Sequence, residues 1–413
     1  MWSPIIEASK DKKKINDIID KIFFVLAKNV QTINPFDVYM GKSGIYLFLL
    51  FYKFSKNQQT KELDCLFESI VESASHCEIS NFQKLTHYAE MAWLACFLYK
   101  KNIVDFDLND FFSEIDGILY EGMISLLKEK EYGLVNGATS IGLYFYYRYT
   151  LGSSYVADFL EKFVDCLSEI SIEKENTIEW INIIDYGSYT EGHNLGIAHG
   201  IPGIILFLEK LYRLGIEKER IVDILTKATN FLLLQKHSLE THKSYFYNIS
   251  SDSPQIGVDS RLAWCYGDLS VAYALYKATS IDGIGSSGIK KEVIEILSNT
   301  TRRISLQETG VIDAGLCHGT SGLAHIYNRL YHQTGMLEFK KTSLYWYKET
   351  LKMPKYENEY VGFGIPYYLA AEEHEINRQY NLSFLTGIAG IGLSLLSSIC
   401  CVEPEWDQYL MLS

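Results

Sequence analysis

Proline is scarce in this chain, 7 in 413 residues, so few turns are fixed by a locked φ and long uninterrupted segments are expected. Positive charge is also in deficit. Lys+Arg total 38 against Asp+Glu 51, a net charge of −13, which argues against sequence-independent nucleic-acid binding and against docking on an anionic membrane. No secretory signal is read near the start: the early lysines precede only the short run Ile22 to Ala27, with no small-residue cleavage site behind it. The stretch most in need of weighing as a membrane span is Phe384 to Val402, 19 residues without a charge. Its three glycines and four Ser/Thr favour a buried helix, so no transmembrane segment is expected. A cytoplasmic location follows as the expectation.

What is present fits a packed globular chain. Hydrophobic residues make up 47% and aromatic residues 14%, with Tyr 30 and Phe 21, which excludes disorder. Eight cysteines could pair, but a chain this long needs no covalent staples, and a reduced setting is expected.

A short pattern recurs: a small residue, two variable positions, a small residue, then an apolar run. It begins at Gly41, Gly137, Gly200, Gly267, Gly319 and Gly387, with successive spacings of 96, 63, 67, 52 and 68. The first gap is wide enough to hide a seventh, degenerate copy at Tyr88 to Leu94, which lacks the glycines. Each unit is long enough for two helices. Ile45 to Tyr52 and Ile204 to Leu208 are apolar nearly all round, as a fully buried helix would be, whereas Ile221 to Leu233 is two-faced. Seven inner helices wrapped by seven amphipathic outer ones make an all-α, closed α/α toroid, expected as one domain over residues 1–413. The glycine pairs are expected to let inner helices approach their neighbours closely. The loose stretch Ile281 to Gly288 reads as a surface loop within a repeat.

Chemistry-bearing residues fall in register with this repeat. Cys265 precedes Gly267 by two, and Cys317 and His318 directly precede Gly319, so all three lie on loops feeding inner helices. Two thiolates and one imidazole suit Zn²⁺ with one coordination position left open. The plainer role for both cysteines is as small buried core residues. Such a centre, neutral before a substrate joins, suits holding a further thiol as thiolate; as a Lewis acid for bound water it is weak. His199 directly precedes Gly200, as His318 precedes Gly319, and is a proton-transfer candidate unless a carbonyl simply satisfies it. Arg261 could stabilise charge developing on a substrate carbonyl, or form a surface salt bridge. Tyr266 could donate a hydrogen bond to the same centre, or pack. His193, His325 and His332 have no such register and read as structural or exposed.

These residues resemble the lanthionine synthetase C-like family, the cyclases of lantibiotic biosynthesis. The resemblance runs through Asn194-Leu195-Gly196-Ile197-Ala198-His199-Gly200-Ile201-Pro202-Gly203, Arg261-Leu262-Ala263-Trp264-Cys265-Tyr266-Gly267, Leu316-Cys317-His318-Gly319-Thr320-Ser321-Gly322 and Gly387-Ile388-Ala389-Gly390-Ile391-Gly392. It implies an α/α toroid of seven hairpins, one zinc on Cys265, Cys317 and His318, and His199, Arg261 and Tyr266 at active-site positions. It also implies addition of a peptide cysteine thiol to dehydroalanine or dehydrobutyrine, giving a lanthionine or methyllanthionine ring. The implied partners are a dehydrated precursor peptide, a dehydratase and an export transporter, which would hold the protein peripherally at the inner membrane. One departure is clear. The family's aspartate four residues before the third motif's glycine is here Gly133; Glu131 and Asp185 are nearby but out of register. Two alternatives therefore stand beside the cyclase: a peptide-binding scaffold that kept the metal, and a zinc-dependent thiol alkyltransferase of prenyltransferase type.

Overall fold

The computed structural model describes residues 2–60, 63–185, 189–236, 246, 249–250, 260–354, 361–363, 365–367, 377–379 and 381–413. In chain order its helices are α1 (Ser9–Asn29), α2 (Lys42–Ser55), α3 (Asp64–Ser75), α4 (Phe82–Lys100), α5 (Leu108–Lys128), α6 (Ala138–Thr150), α7 (Ala157–Glu169), α8 (Ile201–Leu214), α9 (Lys218–Leu234), α10 (Asp268–Thr279), α11 (Ser287–Thr300), α12 (Leu306–Thr309), α13 (Thr320–Thr334), α14 (Leu337–Thr350) and α15 (Ile388–Ile399).

The motif glycines Gly41, Gly137, Gly200, Gly267, Gly319 and Gly387 are the N-caps of α2, α6, α8, α10, α13 and α15. Every residue of α2 from Lys42 to Lys53 is buried, as the all-round apolar run requires. Each fully buried Leu, Ile or Phe there contributes ~1.5–3 kcal/mol relative to exposure. The degenerate seventh copy lies inside α4, which starts upstream of Tyr88 and is capped by the Asn81 side chain accepting from Lys84 N–H at 2.9 Å. The outer helices show the two-faced pattern: α9 buries Ile221, Ile224, Leu225, Ala228, Phe231 and Leu232 while its lysines stay on the other face.

The chain divides into two compact units. In Glu78–Gly310, α4, α6, α8 and α10 pack side by side in that order, covered by α5, α7, α9 and α11. In Met1–Cys77 with Val311–Ser413, α13 packs on α15 and α15 on α2, with α14, α1 and α3 outside them. The loops entering successive buried helices are stitched together: Val135 N–H donates to the Ala198 carbonyl (2.8 Å), Cys317 N–H to Leu385 (2.9 Å) and Leu385 N–H to Tyr39 (3.0 Å).

The motif glycines permit close approach to neighbouring repeats, as expected, at Gly44, where a Cβ would stand 2.4 Å from Phe384 Cβ, and at Gly390, 2.7 Å from Leu316 Cδ1; they also permit a more local one. A Cβ on Gly203 would stand 2.3 Å from the Ile197 carbonyl oxygen and one on Gly322 1.9 Å from that of Leu316, each six residues upstream. The glycines let the loop fold back on its own helix start. Ser270, in the place of such a glycine, uses its hydroxyl instead, accepting from Ile197 N–H at 3.0 Å.

Among the described residues, three small antiparallel sheets add to the expected all-α architecture: β1 (Ile172–Lys174) with β2 (Thr177–Glu179), β3 (Asn182–Asp185) with β4 (Tyr189–Asn194) and β5 (Ile249–Ser250), and β6 (Ile365–Tyr367) with β7 (Asn377–Gln379). They lie in connections between helices, and their shortness and polar content leave no alternating pattern to read. The segment Phe384 to Val402 is largely α15, twelve buried residues, and no described helix is long and apolar enough to cross a membrane. Of the stretch from Ile281 to Gly288, residues 281–286 form the turn, and Ser287 and Gly288 already open α11, which the Ser286 side chain caps. None of the eight cysteines forms a disulfide.

Candidate metal centre

Cys265 sits two residues before the N-cap of α10 and is 5% exposed. Its loop is held in place by unusual backbone: Gly267 has φ +95°, and a Cβ there would stand 1.7 Å from the Arg261 carbonyl oxygen, so the turn requires glycine. Behind it, Asp268 accepts from Phe246 N–H (2.9 Å) and the Ser260 hydroxyl (3.2 Å) and pairs with Arg303 at 3.3 Å. Cys317 and His318 directly precede the N-cap of α13, with the Cys317 sulfur-bearing residue 9% exposed. The nearby Asp313 is buried; its Oδ1 accepts from Gly315 N–H at 2.7 Å and its Oδ2 lies 3.2 Å from His318 Nε2.

One ligand atom each from Cys265, Cys317 and His318 all lie within 4.8 Å of one another. Zinc–sulfur arms of about 2.3 Å at tetrahedral angles put two sulfurs roughly 3.8 Å apart, so the donor set and its spread fit one Zn²⁺. This group could bind a metal. That is more than the bare core role left open for the two cysteines.

His199 occupies the turn before α8. Gly200 N–H closes that turn on the Gly196 carbonyl at 2.9 Å, and the His199 carbonyl accepts from Asn182 Nδ2 at 3.2 Å. Asn182 in turn accepts from the Tyr132 hydroxyl at 2.6 Å. Burial lowers the His199 imidazole below the usual histidine value, partly offset by a hydrogen bond to the Val135 backbone, so the neutral ring is favoured. The carbonyl partner weighed from the sequence is thus present. Gly196 presses on the Cys265 loop: a Cβ there would stand 2.1 Å from the Cys265 carbonyl oxygen and 2.5 Å from the Tyr266 ring.

Tyr266 is half-buried, its ring centroid 6.4 Å from that of His199 at 30°. Its hydroxyl accepts from Asn194 Nδ2 at 3.3 Å. Arg261 is half-buried and has no ion pair among the described residues, so the surface salt bridge weighed for it is not found there. Of the other histidines, His325 is fully buried against Asp407 at 2.7 Å, His332 stacks on Trp2 at 3.9 Å, and His193 stands 3.8 Å from Glu179.

Gly133 faces the His199 turn, and nothing larger fits. A Cβ on Gly133 would lie 2.9 Å from His199 Cα and 3.1 Å from the Ala198 carbonyl oxygen. Glu131 contributes its backbone carbonyl to Ala138 N–H at 2.9 Å, and its carboxyl is pushed up by burial and by Glu129. Asp185 ends β3 opposite Tyr189. Asn182, Asn194 and Asp313 were not singled out from the sequence, although Asn194 and Asp313 share a register that could have revealed them: both stand six residues before a motif glycine.

No curated protein matches the chain by sequence at a significant level. A solved structure described as nisin cyclase matches with a TM-score of 0.71 at 18% identity, over 97% of this chain and 98% of that one. That likeness carries the fold, an α/α toroid as the repeats imply. A family model described as lanthionine synthetase C-like protein matches residues 5–411, and the chain belongs to that family.

Proposed function

We propose that this chain, working as one domain over residues 1–413, is a peptide cyclase that forms thioether rings. The observation that carries the reading is the gathering of two thiols and an imidazole within 4.8 Å in a member of the lanthionine synthetase C-like family. A zinc ion held by Cys265, Cys317 and His318 would supply one thing, a substrate thiol kept deprotonated at neutral pH. The peptide sulfur then bonds to the β-carbon of a dehydroalanine or dehydrobutyrine, the double-bond electrons shift toward the adjoining carbonyl, and one proton is delivered to the α-carbon. The atoms of thiol and alkene are all retained, so the product is an isomer of the substrate.

His199 is neutral near pH 7 and can take up the thiol proton and return it at the α-carbon. Arg261, without an ion-pair partner among the described residues, offers its guanidinium to the enolate oxygen. Tyr266 lines the same loop as Cys265 and adds a hydroxyl held by Asn194. Dehydro amino acids arise by loss of water from Ser or Thr, so a dehydratase must act first; an export transporter would take the product. The location consistent with these partners is the cytoplasm, peripheral to the inner membrane.

The test uses the zinc-loaded protein and a synthetic peptide carrying one cysteine and one dehydroalanine. Cyclisation predicts loss of the thiol that N-ethylmaleimide can alkylate, with no change in peptide mass. A thiol that stays free while the peptide binds would replace this reading with the scaffold alternative, which the glycine at position 133 favours. Saturable binding of an isoprenoid diphosphate would point instead to the alkyltransferase.

A further inference from the structure

Three of the loops share a device six residues before their motif glycine, where the chain has Asn194, Asp313 and Asn381. In each, Oδ1 accepts the backbone N–H two residues on: Gly196 at 3.1 Å, Gly315 at 2.7 Å and Ser383 at 2.8 Å. These are Asx turns, and they shape the loop. The remaining side-chain atom does a second task. Asn194 Nδ2 donates to the Tyr266 hydroxyl at 3.3 Å, and Asn381 Nδ2 donates to Thr386 Oγ1 at 2.9 Å.

Asparagine therefore suffices to build the turn. At position 313 the chain instead has a carboxylate, and its second oxygen faces His318, the residue five ahead, just as Thr386 is five ahead of Asn381. Asp313 is 2% exposed, and among the described residues no well-aligned hydrogen-bond donor satisfies Oδ2. This buried acceptor lies 3.2 Å from the His318 ring nitrogen.

We propose that Asp313 is the positioning residue of the metal centre. Its Oδ2 accepts a hydrogen bond from His318 Nε2–H, which fixes the ring's tautomer and leaves the lone pair on Nδ1 as the donor offered alongside the two thiols. An outer carboxylate of this kind orients the imidazole and makes it a stronger ligand. The inference rests on reading Cys265, Cys317 and His318 as zinc ligands.

The test is Asp313→Asn, which keeps the Oδ1 acceptor for Gly315 as asparagine does at 194 and 381, so the fold should be retained. Zinc affinity is read by competition with a chromophoric chelator, and the melting temperature is read on the metal-free protein. The expected result is an unchanged metal-free melting temperature with zinc bound about 10–100-fold more weakly. Equal zinc affinity in the two proteins overturns the inference alone. A variant that does not fold moves the decision to the unsubstituted metal-free protein, where nitrogen NMR of His318 must show the proton on Nε2; a proton on Nδ1 overturns it. If the unsubstituted protein takes up no zinc at all, the functional reading fails and this inference fails with it.

Discussion

Gly133 and His199 are in backbone contact: a Cβ on the glycine would come within 2.9 Å of the histidine Cα. Related cyclases are expected to carry an aspartate in that slot, and here the space for one has been taken by the turn that presents the histidine. Restoring the acid should therefore fail. In Gly133→Asp the turn must move, at a cost of ~1–3 kcal/mol for overpacking alone. The expected outcome is a lower denaturation midpoint and slower ring formation. Gly133→Ala, which adds only the clashing atom, should destabilise to a similar degree by chemical denaturation; an unchanged midpoint would show that the loop yields freely.

Cys317→Ala removes one of three donors and leaves a thiol and an imidazole, too few for a tight zinc site. Zinc content measured by atomic emission should fall to background, and thiol loss from the test peptide should stop. Full cyclisation by this variant would sink the functional proposal.

His199→Asn separates proton transfer from metal binding. The side chain belongs to the turn pressed on the Cys265 loop, not to the ligand group, so zinc content should stay normal. Ring formation should slow by about 10²–10⁴-fold, the usual worth of a positioned acid–base group. An unchanged rate would make His199 structural, held by its bond to the Val135 backbone.

Much of this arrangement was legible in the sequence because the repeat puts chemistry in register. Cys265, Cys317, His318 and His199 all lie within two residues of a motif glycine, so their shared placement at helix starts followed from spacing. Asp313 and Asn194 escaped because they lie upstream of the pattern, and their importance depends on a loop folding back by six residues, which only the backbone path reveals. The start of α4 escaped for a different reason. Its cap is Asn81, well upstream of the degenerate copy, and without glycine nothing marked the turn. The strands around Asn182 were hidden by their shortness: a hairpin of four- and six-residue strands has too few positions to show alternation.

Acid should weaken the fold in two stages, through the cluster that joins α13 to the chain's end. His325 is fully buried, faced by Asp407, Arg329, Glu403, Trp406 and Trp2, and burial is the first cause lowering it below the ordinary histidine value. The unfolded chain thus binds a proton that the folded one refuses, and stability is lost as pH falls below about 6.5. Asp407 behaves differently. Burial alone would raise its carboxyl, but Arg329, at 2.6 and 2.9 Å, and His325 bring it down to about 2. Its contribution is present above the unfolded value near about 3.9 and is lost as pH falls from there toward about 2. His325→Gln should flatten the first stage in urea midpoints measured from pH 7 to 5. Asp407→Asn should lower the midpoint at every pH above about 4, since breaking a buried pair costs about 3–5 kcal/mol.

Asn182 offers a test of the His199 turn that touches neither metal nor substrate. It is 7% exposed and bridges the Tyr132 hydroxyl to the His199 carbonyl. In Asn182→Ala both groups lose their partner inside the protein, a cost of about 1–3 kcal/mol for each one left unsatisfied. The turn then keeps the bonds Gly200 N–H to Gly196, Val135 N–H to Ala198 and Ile197 N–H to Ser270, which fix its backbone on either side of the histidine but not the histidine carbonyl itself. The expected outcome is normal zinc content, a lower melting temperature and a reduced turnover number with little change in the peptide concentration for half-maximal rate. Asn182→Asp, which keeps the acceptor for Tyr132 but not the donor to His199, should retain most of the stability and still lose turnover. If Asn182→Asp turns over as fast as the unsubstituted protein, the histidine is positioned by its ring bond to Val135 and not by this chain of side chains.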